Sequence, residues 1–245
     1  MKTLFKILSA IISFLRAMLY PEVCISCGDI VDEGESLCNY CRENIERINP
    51  EKRCMKCGFE KKNCVCSVRV YSFQSVISLF ENTDIAQRAY YKYKLFHRKH
   101  YSDYFAKALA IAIKSEFYDV DFDGICYVPS SKRSILSRGF DHSKRLAEQV
   151  SRLTGIAFMD ELLICKEFVR PQHKSNFEER LKNVKGKYSF SRNVNCKNIL
   201  LFDDIRTSGA TLDECSLQLL KAGADKVYCI TVLAQVHKKD KVEKK

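Results

Sequence analysis

The chain lacks any uninterrupted apolar run approaching the roughly 18 residues of a transmembrane helix, so no membrane span is expected. It also lacks a small-x-small cleavage site after its apolar opening stretch, and Arg16 breaks that stretch, which argues against a secretory signal. No internal repeat or low-complexity stretch occurs, apart from a lysine-rich tail over residues 237–245. Leu, Ile, Val and Phe are too plentiful for a disordered chain. What remains is a 245-residue sequence, 46% apolar and 29% charged. That is the size of one large domain, or of a medium domain with a small one. Its 41 basic and 30 acidic residues leave a net charge of +11. The excess admits a polyanion partner, nucleic acid or phosphorylated metabolite, without choosing between them.

Residues 1–20 carry apolar side chains at Leu4, Ile7, Leu8, Ile11, Ile12, Leu15, Met18 and Leu19, the stripe of one amphipathic helix. Thirteen cysteines follow a very uneven plan: eight fall between Cys24 and Cys66. Cys24-x2-Cys27 and Cys38-x2-Cys41 read as two knuckles of one four-thiolate zinc site; Cys54-x2-Cys57 with Cys64-x-Cys66 reads as a second. Few apolar residues lie between them, so metal is expected to supply most of the folding energy of residues 21–66. Four cysteines close the coordination sphere, which makes such zinc structural. Paired thiolates of this kind belong in a reducing compartment, so the cytoplasm is expected.

From Ser67 onward the pattern changes to strands alternating with helices. Residues 68–80 suggest two short strands, and Gly124–Val128, Asn198–Phe202 and Val227–Leu233 three more. Helices are expected over 84–91, 102–114, 141–153 with Asp141 as cap, and 211–222 with Gly223 as stop. Residues 67–236 therefore read as an α/β domain whose mostly parallel sheet is covered on both faces.

The chemistry concentrates after Asn198. A wholly apolar strand ends in two adjacent carboxylates, Asp203 and Asp204, and a small-residue loop, Thr207, Ser208, Gly209, Ala210 and Thr211, then opens a helix. A helix N-terminus at the carboxyl end of a strand offers backbone N–H groups to a phosphate, and Gly209 permits close approach. Carboxylates beside such a cradle suit vicinal ribose hydroxyls, so the combination fits a 5-phosphoribosyl group. His97, His100, His142 and His173 stand isolated without ligand spacing and are expected at the surface.

These residues resemble the signature of the type I phosphoribosyltransferases, and the whole chain is similar to the ComF family, zinc-fingered phosphoribosyltransferase-like proteins linked to natural competence. The leader running into Pro21 and Cys24, the cysteine pairs, Tyr93-Lys94, Val128-Pro129 and Arg138-Gly139-Phe140 carry the likeness, as do Gln172, Arg180 and Asn183. The resemblance implies phosphoribosyl pyrophosphate with Mg2+ as ligand and Asp203 and Asp204 as catalytic carboxylates. It further implies Lys132 and Arg133 on the pyrophosphate, a contribution from Arg138, and a hood bearing Gln172, Arg180 and Asn183. Where the family has Asn-Gln after Arg-Gly-Phe this chain has Asp141-His142, its second Val-Pro is absent, and Arg170 replaces a usual threonine.

Two function classes share this site. One is transfer of ribose 5-phosphate to a nitrogen nucleophile, though no N-terminal catalytic cysteine is available for an amidotransferase. The other is a DNA-uptake factor, with single-stranded DNA, a DNA-uptake helicase or other competence proteins as partners. The segment 85–107, with six basic residues, one acid and seven aromatics (Tyr90, Tyr91, Tyr93, Phe96, Tyr101, Tyr104 and Phe105), is the candidate for phosphate tracking and base stacking.

Overall fold

The computed structural model describes residues 21–95, 99–166 and 184–235. The opening amphipathic stretch, Phe96, His97 and Arg98, the hood residues Gln172, Arg180 and Asn183, His173 and the basic tail lie outside them.

The run Ile199-Leu200-Leu201-Phe202 has no polar break, the mark of a strand covered on both faces. It forms the centre of a parallel sheet built from β1 (Ser75–Glu81), β2 (Gly124–Tyr127), β5 (Cys196–Arg206) and β6 (Ala224–Ala234), in the order β1-β6-β5-β2. Successive side chains point to opposite faces. Leu200 and Phe202 enter one core with Ile125, Tyr127, Ile230 and Val232. Ile199 and Leu201 enter the other with Cys126, Val128, Val227 and Cys229. Helices α2 (Asp84–Leu95), α3 (Lys99–Glu116) and α5 (His142–Thr154) cover the first face. Helix α6 (Ala210–Lys221) and the two-stranded antiparallel pair β3 (Leu163–Cys165) and β4 (Tyr188–Phe190) cover the second. Two short helices complete the set, α1 (Asn39–Asn44) in the front end and α4 (Lys132–Arg138) after β2. This is an α/β arrangement, a parallel sheet covered on both faces, preceded by two groups of cysteine knuckles.

One sequence expectation needs correction. Residues 68–80 hold one strand, not two. Val68 and Val70 alternate with Arg69 and Tyr71 as a strand would, but no neighbouring strand is there to bond them, and both valines are left exposed. Arg138 and Gly139 close a helix: Ser131 caps α4 and Gly139, at φ +79°, terminates it.

The front end straddles the edge strand β1. Arg47 bridges Phe80, and Ile48 N–H donates to the Leu79 carbonyl at 3.1 Å. The first cysteine group thus packs Ile25, Leu37 and Ile45 into the first core, while Cys57 and Phe59 join the second. Packing on the sheet therefore shares with metal the work of ordering these residues. Among the described residues no helix is long and apolar enough to cross a membrane.

Candidate functional site

The two groups of four cysteines converge as their spacing predicts. Cys24, Cys27, Cys38 and Cys41 form one cluster and Cys54, Cys57, Cys64 and Cys66 the other, each with all its sulfurs within 4.8 Å of one another. Individual Sγ–Sγ separations are 3.6 Å for Cys27–Cys38 and 3.8 Å for Cys54–Cys66 and Cys57–Cys64. Tetrahedral zinc with bonds of about 2.3 Å needs sulfurs about 3.8 Å apart, so the donor sets fit that ion. Gly28 and Gly58, at φ +97° and +71°, let each knuckle fold back: their N–H groups donate to the carbonyls of Cys24 and Cys54. Burial works against the Cys24 thiolate, but backbone N–H groups of Cys38, Cys27 and Ser26 outweigh it and bring that thiol down to about 6. The clusters support structural zinc.

At the carboxyl end of the sheet, β5 delivers Asp203 and Asp204. Asp203 is buried, and its Oδ1 accepts the Asp204 N–H at 2.8 Å. Asp204 turns outward to an ion pair with Lys94 of α2, and its Oδ2 lies 3.2 Å from His142 Nε2. His142 is therefore buried at the site and not at the surface as expected; Tyr93 Oη fixes its backbone by donating to the His142 carbonyl at 2.8 Å. Its place directly after Arg-Gly-Phe-Asp, where the family has Gln, was the available signal. Tyr90 Oη and His142 Nδ1 are buried without a hydrogen-bond partner among the described residues. Such orphaned groups suit a ligand's hydroxyls.

The two carboxyls are pushed apart in their titration. Burial raises Asp203 well above the usual carboxylate range, and the charge of Asp204 adds to the effect. Burial acts the same way on Asp204, but the His142 hydrogen bond and the Lys94 ammonium outweigh it and hold that carboxyl well below. A raised pKa means that the contribution of Asp203 to stability is present below the ordinary value of about 4 and lost as pH rises toward the folded-state value. Asp203→Asn is therefore expected to raise the Tm of the ligand-free protein at neutral pH. Wild-type and variant melting curves should coincide near pH 4 and separate increasingly as pH rises above it. Parallel Tm profiles across that range would contradict the protonated Asp203.

The loop after β5 turns into α6 through Gly209, whose φ of +76° places it in the left-handed region; Gly209 has no side chain to cap the helix, and Ala210 N–H makes only a long bond of 3.4 Å to Ser208 Oγ. Thr207 and Thr211 are partly exposed, whereas Ser208, Gly209 and Ala210 are buried. The cover is a segment that sequence reasoning missed. Arg69 Nη1 donates to the Ser208 carbonyl at 3.1 Å and Arg69 Nη2 reaches Asp213 at 3.5 Å. The Tyr71 ring stands 3.3 Å from where a Cβ on Gly209 would lie. Alternation of Arg69 and Tyr71 with exposed valines was the only sequence sign of this inward face.

Beside β5, strand β2 ends in register, Tyr127 opposite Phe202, so the loop 129–133 leaves the same end of the sheet. Ser130 donates through N–H and Oγ to Asp141, which also caps α5 by accepting from Ser143 and Lys144. Arg138 Nη2 contacts Ser130 Oγ at 3.4 Å. Lys132 and Arg133 are exposed on the first turn of α4. Among the described residues of 85–107, most of the rings expected to form a stacking platform are turned inward. Tyr90, Tyr93, Tyr101 and Phe105 are core residues, because the helical period that spaces them also turns them inward. Tyr91 is exposed.

A double zinc ribbon domain matches residues 15–67. The chain is 23% identical over 220 residues to the DNA utilization protein YhgH of Salmonella typhimurium, covering 87% of this chain and 92% of that one. It is 26% identical over 211 residues to the competence protein ComFC of Streptococcus pneumoniae, covering 82% and 89%. Over most of its length the chain is thus similar to DNA utilization and competence proteins. Competence protein F of Haemophilus influenzae matches over a shorter stretch, 27% identical over 93 residues, 37% of this chain and 41% of that protein.

Among solved structures, an allosteric regulatory enzyme of purine biosynthesis and a glutamine phosphoribosylpyrophosphate amidotransferase from B. subtilis are each 22% identical, with TM-scores of 0.37 and 0.36. They cover 57% of this chain, which spans only 29% and 30% of theirs. At such scores the topology above, and not the superposition, carries the fold. Asp141 and His142 thus act on both sides of the site: Asp141 ties down the loop at Ser130 and His142 engages Asp204.

Proposed function

We propose that this ComF-like protein binds phosphoribosyl pyrophosphate with Mg2+ and acts in DNA uptake or utilization in the cytoplasm. One observation carries the ligand: a helix N-terminus opened by left-handed Gly209, held only by a long bond to Ser208 Oγ, stands one short loop beyond Asp203 and Asp204. The N–H groups and the hydroxyls of Thr207, Ser208 and Thr211 take the 5-phosphate, with Ala210 supplying backbone only. Asp204 takes the ribose hydroxyls, and Lys132, Arg133 and Arg138 face the pyrophosphate. Mg2+, when bound, neutralises pyrophosphate charge. The biological role rests on the names of the relatives, and the cytoplasm on eight thiolates kept reduced for metal. Titration calorimetry with phosphoribosyl pyrophosphate and Mg2+ tests the ligand directly.

A second reading, an active phosphoribosyltransferase, is favoured by the opposed titration of Asp203 and Asp204, the pattern of an acid–base pair. Pyrophosphate release in the presence of nitrogen nucleophiles checks it.

Direct contact with single-stranded DNA belongs on the exposed stripe Arg88 and Tyr91 of α2, since Lys94 is engaged by Asp204. Binding should weaken steeply with salt as phosphates release counterions. Arg88→Ala with Tyr91→Ala should lower the affinity and, through the lost cation, the salt slope. Fluorescence polarisation that finds no binding at low salt, or no change in the double variant, removes this surface from the account.

A further inference from the structure

Where the front end crosses the sheet edge lies a cavity of about 220 Å³ that shares no lining residue with the acidic pair. Its charged lining comprises Arg47, Lys52, Arg53 and Arg206 against Glu60 and Glu81, an excess of two positive charges. Arg47 and Lys52 are exposed at its rim, whereas Arg53 and Arg206 are only 2% exposed.

The two buried guanidiniums differ. Arg53 donates to the Val76 carbonyl at 3.1 Å and is ion-paired with Glu116. Arg206 stacks over the Phe59 ring at 4.2 Å and donates one N–H to the Gly58 carbonyl at 3.0 Å. Its Nε and Nη1 have no hydrogen-bond partner, and among the described residues no carboxylate pairs with it. Glu60 is already held by Lys62 at 2.9 Å. Burying a guanidinium with two idle donors is costly unless an anion meets it. The thiolate of Cys57 favours the cation through space but fills neither donor.

We propose that this cavity is an oxyanion site, separate from the loop after β5, that takes a phosphate group. A phosphate dianion carries about the charge that the lining leaves uncompensated. The volume admits a phosphoryl group and excludes a whole nucleotide, whose pocket starts at about 300 Å³. The group is either free phosphate or the end of a phosphomonoester entering past Arg47 and Lys52. Arg206 directly precedes Thr207, so occupancy ties the second ribbon to the start of the phosphate loop.

Equilibrium dialysis of the zinc-loaded full chain with labelled inorganic phosphate tests this, with glycerol 3-phosphate as a second arm. Tighter binding of the ester identifies a phosphomonoester end, and tighter binding of the ion identifies free phosphate. Wild type is expected to hold two phosphates, one in this cavity and one at the Gly209 loop. Arg206→Met should hold one, and the rim variant Arg47→Ala/Lys52→Ala should bind the cavity phosphate at least about tenfold more weakly, as for one lost charged hydrogen bond. The rim variant leaves the buried residues intact, so it answers even where Arg206→Met does not fold. The two sites fail separately. If the loop site is wrong, wild type holds one phosphate and Arg206→Met none. Phosphate binding unchanged in both Arg206→Met and the rim variant, or absent from a Gly209→Val chain that retains its zinc, overturns the cavity site.

Discussion

Purified protein is expected to carry close to two zinc ions per chain, and loss of either should unfold the front end. Structural zinc of this kind contributes on the order of 10 kcal/mol per site at neutral pH, more than the whole stability of many domains. Part of that is offset here because Ile25, Leu37, Ile45 and Phe59 pack into the sheet's two cores. The same packing spreads the damage. Cys24→Ser or Cys38→Ser leaves three ligands and should loosen the first core. Cys54→Ser or Cys57→Ser should release Phe59 and Gly58, and with them the contact to Arg206. Each variant is expected to retain about one zinc and to become sensitive to protease within residues 21–66. A protein purified without chelator that contains no zinc by metal analysis would sink this account.

The cysteine plan was the most legible part of the sequence, because metal ligands act through short fixed spacings that need no knowledge of the fold. The sheet was nearly as legible, since Ile199 to Phe202 and the apolar runs near Gly124 and Val227 admit few other readings. Some ends came out two to four residues short, as at α3 (Lys99–Glu116) and β5 (Cys196–Arg206), whereas α5, α6 and β2 were placed within one residue. The site was harder. Asp203, Asp204 and the Gly209 loop are contiguous and announce themselves, whereas Lys94 and His142 reach Asp204 from 110 and 62 residues away. Apart from its place after Arg-Gly-Phe-Asp, nothing local marks His142 as buried, since its burial comes from packing beside Tyr90 and Tyr93. The aromatic segment misled for the opposite reason: basic residues and rings alternate in sequence, but the helix sorts them onto different faces. Arg206 was invisible because an arginine ending a strand normally reaches solvent, and only the docked ribbon covers it.

Gly209→Val is expected to abolish binding of phosphoribosyl pyrophosphate. The position has φ +76°, which a branched side chain rarely adopts, and a Cβ there would press on the Tyr71 ring at 3.3 Å. It would also stand where backbone N–H groups must meet phosphate. Tyr71 and Arg69 hold the Ser208 carbonyl, so displacing the ring should disturb the loop well beyond one residue. Asp204→Asn is expected to act more gently. It keeps the shape but removes a charged acceptor for ribose hydroxyls, a loss of about 1.5–3 kcal/mol or roughly 10- to 150-fold in Kd. The same change frees Lys94 and His142 from their counter-charge, so part of the loss should be recovered at low salt, where a freed cation attracts the pyrophosphate most strongly. Zinc content and the circular dichroism spectrum should match wild type in Asp204→Asn, which separates a binding defect from unfolding. Titration calorimetry giving equal affinity for wild type and Gly209→Val would remove the loop after β5 as the phosphate site.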